Sequence, residues 1–270
     1  SPSWMFRVFP YIEQKQAYEI LVSGRRADGG SPWVCILNRV IDQAGGYTSI
    51  QKVMRTKFTA FCCPSQPKND LLPSIEAQPE WARYRYNYAA CFGPNSYHTA
   101  EIHQSRNDLP LEDLVWPETG EVQHRYPADS APMGWNKIPG LSRITDGTSN
   151  TALYSEVVLA KDPNSTRYAD TMLSIGAGFT AYYPPNSNGP DVINVCWSSR
   201  GLASSKTALC IGTSAPLNHL GQRMTARSFH SGGVNCALAD ASVRFVSDSV
   251  DLHIWRSMST ANGGETISLP

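Results

Sequence analysis

The chain has 270 residues, of which 41% are hydrophobic and 17% charged, and 23 basic and 23 acidic side chains leave a net charge of zero. This length can bury a large core without help from a metal or a disulfide. The neutral balance excludes the basic excess of a nucleic-acid-binding protein, so we expect no nucleic-acid partner. No apolar run reaches the roughly 18 residues of a membrane-spanning helix.

The first residues predict a helix over 3–22, because apolar side chains recur at helical spacing with Pro10 interrupting. This segment is rich in aromatics, and it begins with no leader and no Met. We therefore expect a segment upstream of Ser1, against which these aromatics pack. A second helix is predicted over about 34–43, followed by a short strand in "TKFTAFCCPSQP".

The stretch "ARYRYNYAACFG" (82–93) predicts the clearest strand. Tyr84, Tyr86 and Tyr88 share one face of it. At strand spacing such a stripe is more often core than a ligand platform. Another strand within 141–158 alternates at Ala152, Tyr154 and Glu156. The polar, aperiodic segments of about 93–140 and 183–228 are interpreted as long loop excursions.

"SFHSGGVNCALADASVRFV" (228–246) predicts a β-hairpin with Asp240 and Ala241 in a two-residue turn. A strand of this length spans about 20 Å, which keeps His230 and Asp240 too far apart to share a site. We expect His230 to bond a backbone carbonyl or pack near the sheet end, and Asp240 to make the turn. A last helix over about 249–259 would take Ser249 or Asp248 as its N-cap.

Together these elements predict an α+β fold in one domain, 1–270, with an antiparallel sheet, flanking helices and long loop insertions.

Seven cysteines favour an oxidising compartment and at least one disulfide, although several could be small buried hydrophobes. Cys196 and Cys210 flank a 13-residue loop and are the first candidate pair. Cys62 or Cys63 with Cys91 is the second. No Cys-x-x-Cys occurs and no His follows at zinc-finger spacing, so we expect no structural zinc.

"ITDGTSNT" is the best candidate for a cation site, since Asp146, Thr148 and Asn150 offer oxygens at alternating positions and Glu156 follows. Calcium takes such oxygen ligands. The same residues are also ordinary turn formers, so both interpretations stay open. No other cofactor is expected.

The sequence resembles a planctomycete-type family of prepilin-like proteins of unknown function, marked by a His, nine residues, then Asp-Gly. His230 and Asp240 match that signature, with Ala241 in place of Gly. "SWMFRVFPYIEQ" is similar to the family's "SWLVRLLPYIEQ", "FCCPSQP" to "FLCPSDP" with Gln66 in place of Asp, "YNYAACFGPN" to "NYAGNRG", and "ITDGTSNTALYSE" to "ITDGTSNTILVGE".

The resemblance implies a pilin-like or pseudopilin-like fold with an N-terminal hydrophobic helix that is absent from this chain. It implies the cell envelope, the cell surface or secretion as location, and like subunits or other pilin-like proteins as partners. It carries over no catalytic residues, and His230 and Asp240 would be structural.

We therefore expect a non-enzymatic structural protein that assembles through an upstream helix. No nucleophile-elbow or phosphate-binding motif argues for an enzyme. The alternative is an extracellular ligand-binding module with carbohydrate as the candidate ligand, because aromatic residues that could stack on sugars occur in the loops. They are Trp116, Trp135, Tyr182, Tyr183 and Trp197.

Overall fold

The structure is a computed structural model, and it describes residues 4–23, 49–66, 71–72, 83–94, 130–133, 140–159, 178–193, 210–212 and 223–264. The helix predicted over about 34–43 lies outside the described residues, as does most of 93–140. The described helices are α1 (Trp4–Val8), α2 (Lys15–Ser23), α3 (Ser49–Arg55) and α4 (Leu252–Met258). The described strands are β1 (Leu71–Leu72), β2 (Arg83–Tyr84), β3 (Tyr88–Cys91), β4 (Ala152–Glu156), β5 (Gly178–Phe179), β6 (Asp191–Ile193), β7 (Cys210–Gly212), β8 (Gly233–Leu238) and β9 (Val243–Ser247). None of the described helices is long and apolar enough to cross a membrane.

The N-terminal segment is helical with an interruption, as the sequence predicts. A 3-10 turn over Phe9–Tyr11 separates α1 from α2, and Pro10 lies within it. Phe6 and Phe9 are buried against Phe58, Phe61 and Tyr86. The aromatics of this segment are therefore largely covered by the chain itself, which corrects the expectation that they pack on an upstream segment; Tyr11 alone among them is strongly exposed.

The main sheet has five strands in the order β5-β3-β4-β8-β9. Neighbouring strands are antiparallel except β5, which runs parallel to β3. The sheet is consequently mixed, which corrects the antiparallel expectation while keeping the α+β class. Two smaller sheets accompany it. Within the excursion predicted for 183–228, β6 and β7 form a parallel pair. Elsewhere in the chain, β1 and β2 form an antiparallel pair.

The sheet has a different cover on each face. On one face, α4 presents Trp255 and Met258 to a core that includes Ala89, Cys91 and Cys236. On the other face, the tyrosines of the predicted stripe join the aromatic core of the N-terminal segment, and Trp4 packs over Tyr154 with ring centroids 4.5 Å apart. The tyrosines are thus part of a core as predicted, with Tyr86 buried and Tyr84 and Tyr88 partly buried. The single strand predicted over 82–93 is wrong, because this stretch forms β2 and β3 in two different sheets.

Strand β4 contains a bulge that the alternation pattern does not show. Its register with β8 shifts between Ala152 and Tyr154. As a result, Ala152 belongs to the core under α4, whereas Tyr154 and Glu156 face the N-terminal segment. Another interpretation was wrong: "TKFTAFCCPSQP" forms a 3-10 turn over Thr59–Phe61 rather than a strand.

The hairpin of β8 and β9 is confirmed, but its turn is longer than the two residues predicted. The Ala241 N–H donates to the Leu238 carbonyl, and the Leu238 N–H donates to the Ser242 carbonyl. Ala241 alone in this turn has positive φ, at 67°. This is a three-residue loop with a left-handed last residue, a geometry that suits the strand twist.

Candidate functional site

Three side chains that can bind a metal or move protons meet at the C-terminal end of β4. Cys63 Sγ donates to Glu156 Oε1 at 3.4 Å, and His230 Nε2 lies 3.1 Å from the same oxygen. Cys63 Sγ and His230 Nε2 are 3.7 Å apart. Cys63 and Glu156 are buried, whereas the His230 side chain is 30% exposed, so the cluster reaches solvent through the imidazole.

Each member is positioned by hydrogen bonds of its own segment. Asn87 holds Cys63, because its side-chain oxygen accepts from the Cys63 N–H at 3.0 Å. Asn235 holds Glu156, because its backbone and side-chain nitrogens donate to Glu156 Oε2 at 2.8 and 3.3 Å. The carboxylate is therefore oriented with Oε1 facing Cys63 and His230.

The segment before β8 folds back to bring His230 over Glu156. Ser228 Oγ donates to the Gly233 carbonyl at 2.6 Å and accepts from the His230 N–H at 3.1 Å. Gly232 has φ of 80°, a conformation that glycine adopts without a steric penalty. Of the two alternatives expected for His230, the bond from its side chain to a backbone carbonyl is wrong, because its ring contacts a carboxylate and a thiol. The residue does lie near the sheet end, just before β8.

The arrangement differs from a nucleophile activated by a histidine base. In such a relay, one ring nitrogen meets the thiol and the other meets the orienting carboxylate. Here the one atom His230 Nε2 faces both Cys63 and Glu156. Burial raises the pKa of the Cys63 thiol, and the nearby Glu156 carboxylate raises it further, so the thiol is protonated at neutral pH.

Asp240 is a turn residue, as predicted, and lies at the opposite end of β8 from His230. Its Oδ1 accepts from the Ser242 N–H at 2.9 Å and from Ser242 Oγ at 2.6 Å, which lowers the pKa of the carboxyl. The Asp240 N–H donates to the Thr148 carbonyl at 3.0 Å. The hairpin tip is thereby joined to the "ITDGTSNT" loop.

The two carboxylates among the four residues proposed for calcium, Asp146 and Glu156, have different partners. The Asp146 carboxylate accepts hydrogen bonds from Thr260 Oγ1 and from the N–H groups of Gly263 and Gly264, at 2.8–2.9 Å. Glu156 belongs instead to the cluster with His230. Asp146 thus fastens the segment after α4, and the turn interpretation of this loop fits the structure.

The second candidate disulfide is corrected by the structure. Cys62, Cys63 and Cys91 are free thiols. Cys63 lies beside Glu156, whereas Cys91 lies in the core on the other face of the sheet, where burial raises its pKa to about 12. For the first candidate pair, Cys196 lies outside the described residues, so that pairing stays a prediction.

The aromatic residues proposed to stack on sugars are only in part described. Tyr182 is buried, its ring contacts Tyr183 edge-on, and the Arg223 guanidinium lies 4.6 Å from its centroid. Tyr182 therefore presents no free face for a ligand. The three tryptophans proposed with it, Trp116, Trp135 and Trp197, lie outside the described residues.

Sequence reasoning missed the cluster because its members are far apart in the chain. Cys63 lies 93 residues before Glu156, which lies 74 residues before His230. A signal was nevertheless present, because each of the three lies in a different block of the resemblance: "FCCPSQP", "ITDGTSNTALYSE" and the His-to-Asp signature.

Comparison with known proteins gives the class of the chain. The family model described as "Protein of unknown function (DUF1559)" matches residues 1–253. The chain belongs to this family. No curated protein and no solved structure matches it.

Proposed function

We propose that the chain is the globular part of a non-enzymatic, pilin-like structural protein of the cell envelope or surface. It would assemble with like subunits through a helix that precedes Trp4. The observation that supports this most directly is an apolar, uncovered strip on the sheet face that Trp4 partly covers. Val243 and Phe245 in this strip are 67% and 54% exposed.

The strip continues a row of side chains that begins under Trp4. Tyr154, which packs against Trp4, lies opposite Ala237, and Ala237 lies opposite Val243. Directly opposed residues of antiparallel strands point to the same face. A helix reaching Trp4 from beyond β9 would cross Val243 and the small Ala237 before meeting Tyr154.

The strip lies at the edge of the sheet, where a helix packed over it would prevent pairing with other molecules. β9 is an edge strand of the five-stranded sheet. Apolar side chains on an exposed edge strand favour unwanted pairing between molecules, and proteins usually shield them. A packed helix would bury Val243 and Phe245 and would connect the globular part to a membrane or a filament.

Assembly of a longer protein carrying its upstream segment tests the proposal. Val243→Glu combined with Phe245→Glu should abolish assembly in sedimentation and electron microscopy, because the charges would be buried under the helix. Leu141→Glu is the matched control, since Leu141 is an apolar residue outside the strip that is 62% exposed. Normal assembly of the double variant would contradict the proposal.

The 270-residue chain by itself provides a second measurement. Analytical ultracentrifugation should find it monomeric or weakly self-associating, and the glutamate variants should remain folded. A tight and specific oligomer of this chain alone would argue against assembly through an upstream helix. So would turnover of a substrate at an ordinary enzyme rate.

A further inference from the structure

The cluster of Cys63, Glu156 and His230 has the geometry of a metal site. One donor atom from each residue contributes to a triangle whose edges are 3.1 Å between nitrogen and oxygen, 3.4 Å between sulfur and oxygen, and 3.7 Å between sulfur and nitrogen. Ligands of a tetrahedral zinc ion, bound at about 2.0–2.3 Å, lie about 3.3–3.6 Å apart, with the sulfur pairs longest. The observed edges follow the same order.

The mutual contacts of the three atoms support the same conclusion. Each of Sγ, Nε2 and Oε1 lies within 3.7 Å of the other two, so all three can reach one ion. The second carboxylate oxygen of Glu156 is held by Asn235, and the Cys63 backbone by Asn87. Partners of this kind keep metal ligands in place before the ion arrives.

The set of donor atoms selects the kind of ion. A thiolate and an imidazole suit zinc and similar transition metals, whereas calcium and magnesium take oxygen ligands only. Glu156 is 2% exposed, and a cation beside it would compensate the cost of burying a carboxylate.

We propose that Cys63, Glu156 and His230 bind one divalent transition-metal ion of the zinc type, with water in the fourth position on the solvent side of His230. On binding, the Cys63 thiol releases its proton to solvent. The ion would join three segments: the one after the 3-10 turn of Thr59–Phe61, the end of β4, and the one before β8. These ligands come from three distant segments, which is why the sequence carries no zinc-finger spacing.

The test uses the whole chain, reduced, stripped with a chelator and titrated with zinc chloride. Calorimetry should give one zinc per chain, and zinc should raise the thermal midpoint because it binds the folded state. Cobalt chloride in place of zinc should produce a thiolate-to-cobalt charge-transfer band.

Two variants remove ligands and two serve as matched controls. Cys63→Ser and His230→Gln should weaken zinc binding by at least about tenfold, and Cys63→Ser should remove the cobalt band. Cys62→Ser changes the neighbouring thiol, which faces the Phe58 carbonyl, and His253→Gln changes an exposed histidine. Both controls should bind zinc as the unmodified chain does.

A measurement on the unmodified chain keeps the test valid if a variant fails to fold. Zinc should slow alkylation of Cys63 but leave that of Cys62 unchanged, as read by peptide mass spectrometry. The proposal is overturned if the folded chain binds no zinc, if Cys63→Ser binds it as tightly as the unmodified chain, or if zinc protects both thiols equally.

Discussion

Arg227 and Asp191 form a buried ion pair that fastens β6 to the irregular segment before β8. Their atoms are 2.6 Å apart, and the two side chains are 2% and 0% exposed. Arg227 also donates to the carbonyls of Ser187 and Gly189, and Asp191 accepts from the Thr225 N–H. Such a pair is costly to break, because the remaining charge stays in a medium of low polarity.

Arg227→Met should therefore lower the free energy of unfolding by about 3–5 kcal/mol, as measured by urea denaturation. The double variant with Asp191→Asn should lose less than the sum of the two single losses. Lys15→Ala is the control, because the Lys15–Glu19 pair is 3.8 Å apart and largely exposed; it should change stability by less than about 1 kcal/mol. Equal losses for the buried and exposed pairs would contradict the prediction.

Ala241 occupies a position that glycine would occupy with less strain. Its φ of 67° brings the Cβ close to backbone atoms. Ala241→Gly should therefore raise the free energy of unfolding by up to about 1 kcal/mol, measured as a shift of the urea midpoint. Ala239→Gly, in the same turn at ordinary φ, should lower the midpoint. An unchanged or lower midpoint for Ala241→Gly would show that the strain is negligible.

At the residue scale, sequence reasoning succeeded where the determinant is local. Asp240 was predicted to make the turn, since an aspartate next to a small residue between two alternating strands is a local signal. The contacts of Cys63, Glu156 and His230 depend on how three distant segments meet, and no local pattern encodes that.

At the scale of elements, helix α4 shows why the residue at which a helix begins is harder to predict than the presence of the helix. The helix was predicted over about 249–259 and is found over Leu252–Met258, with Trp255 and Met258 buried. The N-cap, however, is Asp251 rather than Ser249 or Asp248. Asp248 instead accepts from Asn186 Nδ2 at 2.6 Å, a long-range contact that competes with capping.

Asp251→Ala should cost about 1 kcal/mol of stability. The Asp251 carboxylate accepts from the N–H groups of His253 and Ile254, and alanine leaves both without this acceptor. Asp251→Ser should restore most of the loss in thermal denaturation. Ser249→Ala, at the position first predicted as the cap, should have an effect within about 0.5 kcal/mol. A larger loss for Ser249→Ala than for Asp251→Ala would refute the assignment.

Strand direction is likewise an element property that the alternation pattern leaves open. The parallel pairing of β5 with β3, and of β6 with β7, depends on the path of long connections. The bulge in β4 is similar, because two residues there oppose one on β8 through long-range pairing. Strands β3, β4, β8 and β9 lie where the sequence predicts strands, whereas β1, β5, β6 and β7 were not predicted, and neither the direction nor the register of the pairing was.

At the scale of the whole molecule, the five-stranded sheet separates three of the described cysteines into two environments. Cys91 and Cys236 lie in the core under α4, and burial raises the pKa of both thiols. Cys63 lies on the opposite face in the cluster with Glu156. Because bridged cysteines need Cα atoms within about 7 Å, a sheet between two thiols keeps them apart.

One cysteine of the first candidate disulfide, Cys210, lies in the parallel pair of β6 and β7. Cys210 lies opposite Asp191, and Cys196 follows Ile193 by three residues. Closing the loop between them would stabilise the fold by about 3 kcal/mol in the chain-entropy account.

Peptide mapping of secreted material without reduction should therefore find Cys196 joined to Cys210. Cys63 and Cys91 should appear as thiols, and Cys91 should react with an alkylating agent only after unfolding, because it is buried and largely protonated. Reduction should lower the thermal midpoint of the unmodified chain and leave that of Cys196→Ser unchanged. Seven free thiols would exclude the predicted bridge, and a Cys63–Cys91 bond would contradict the placement of these residues on opposite faces of the sheet.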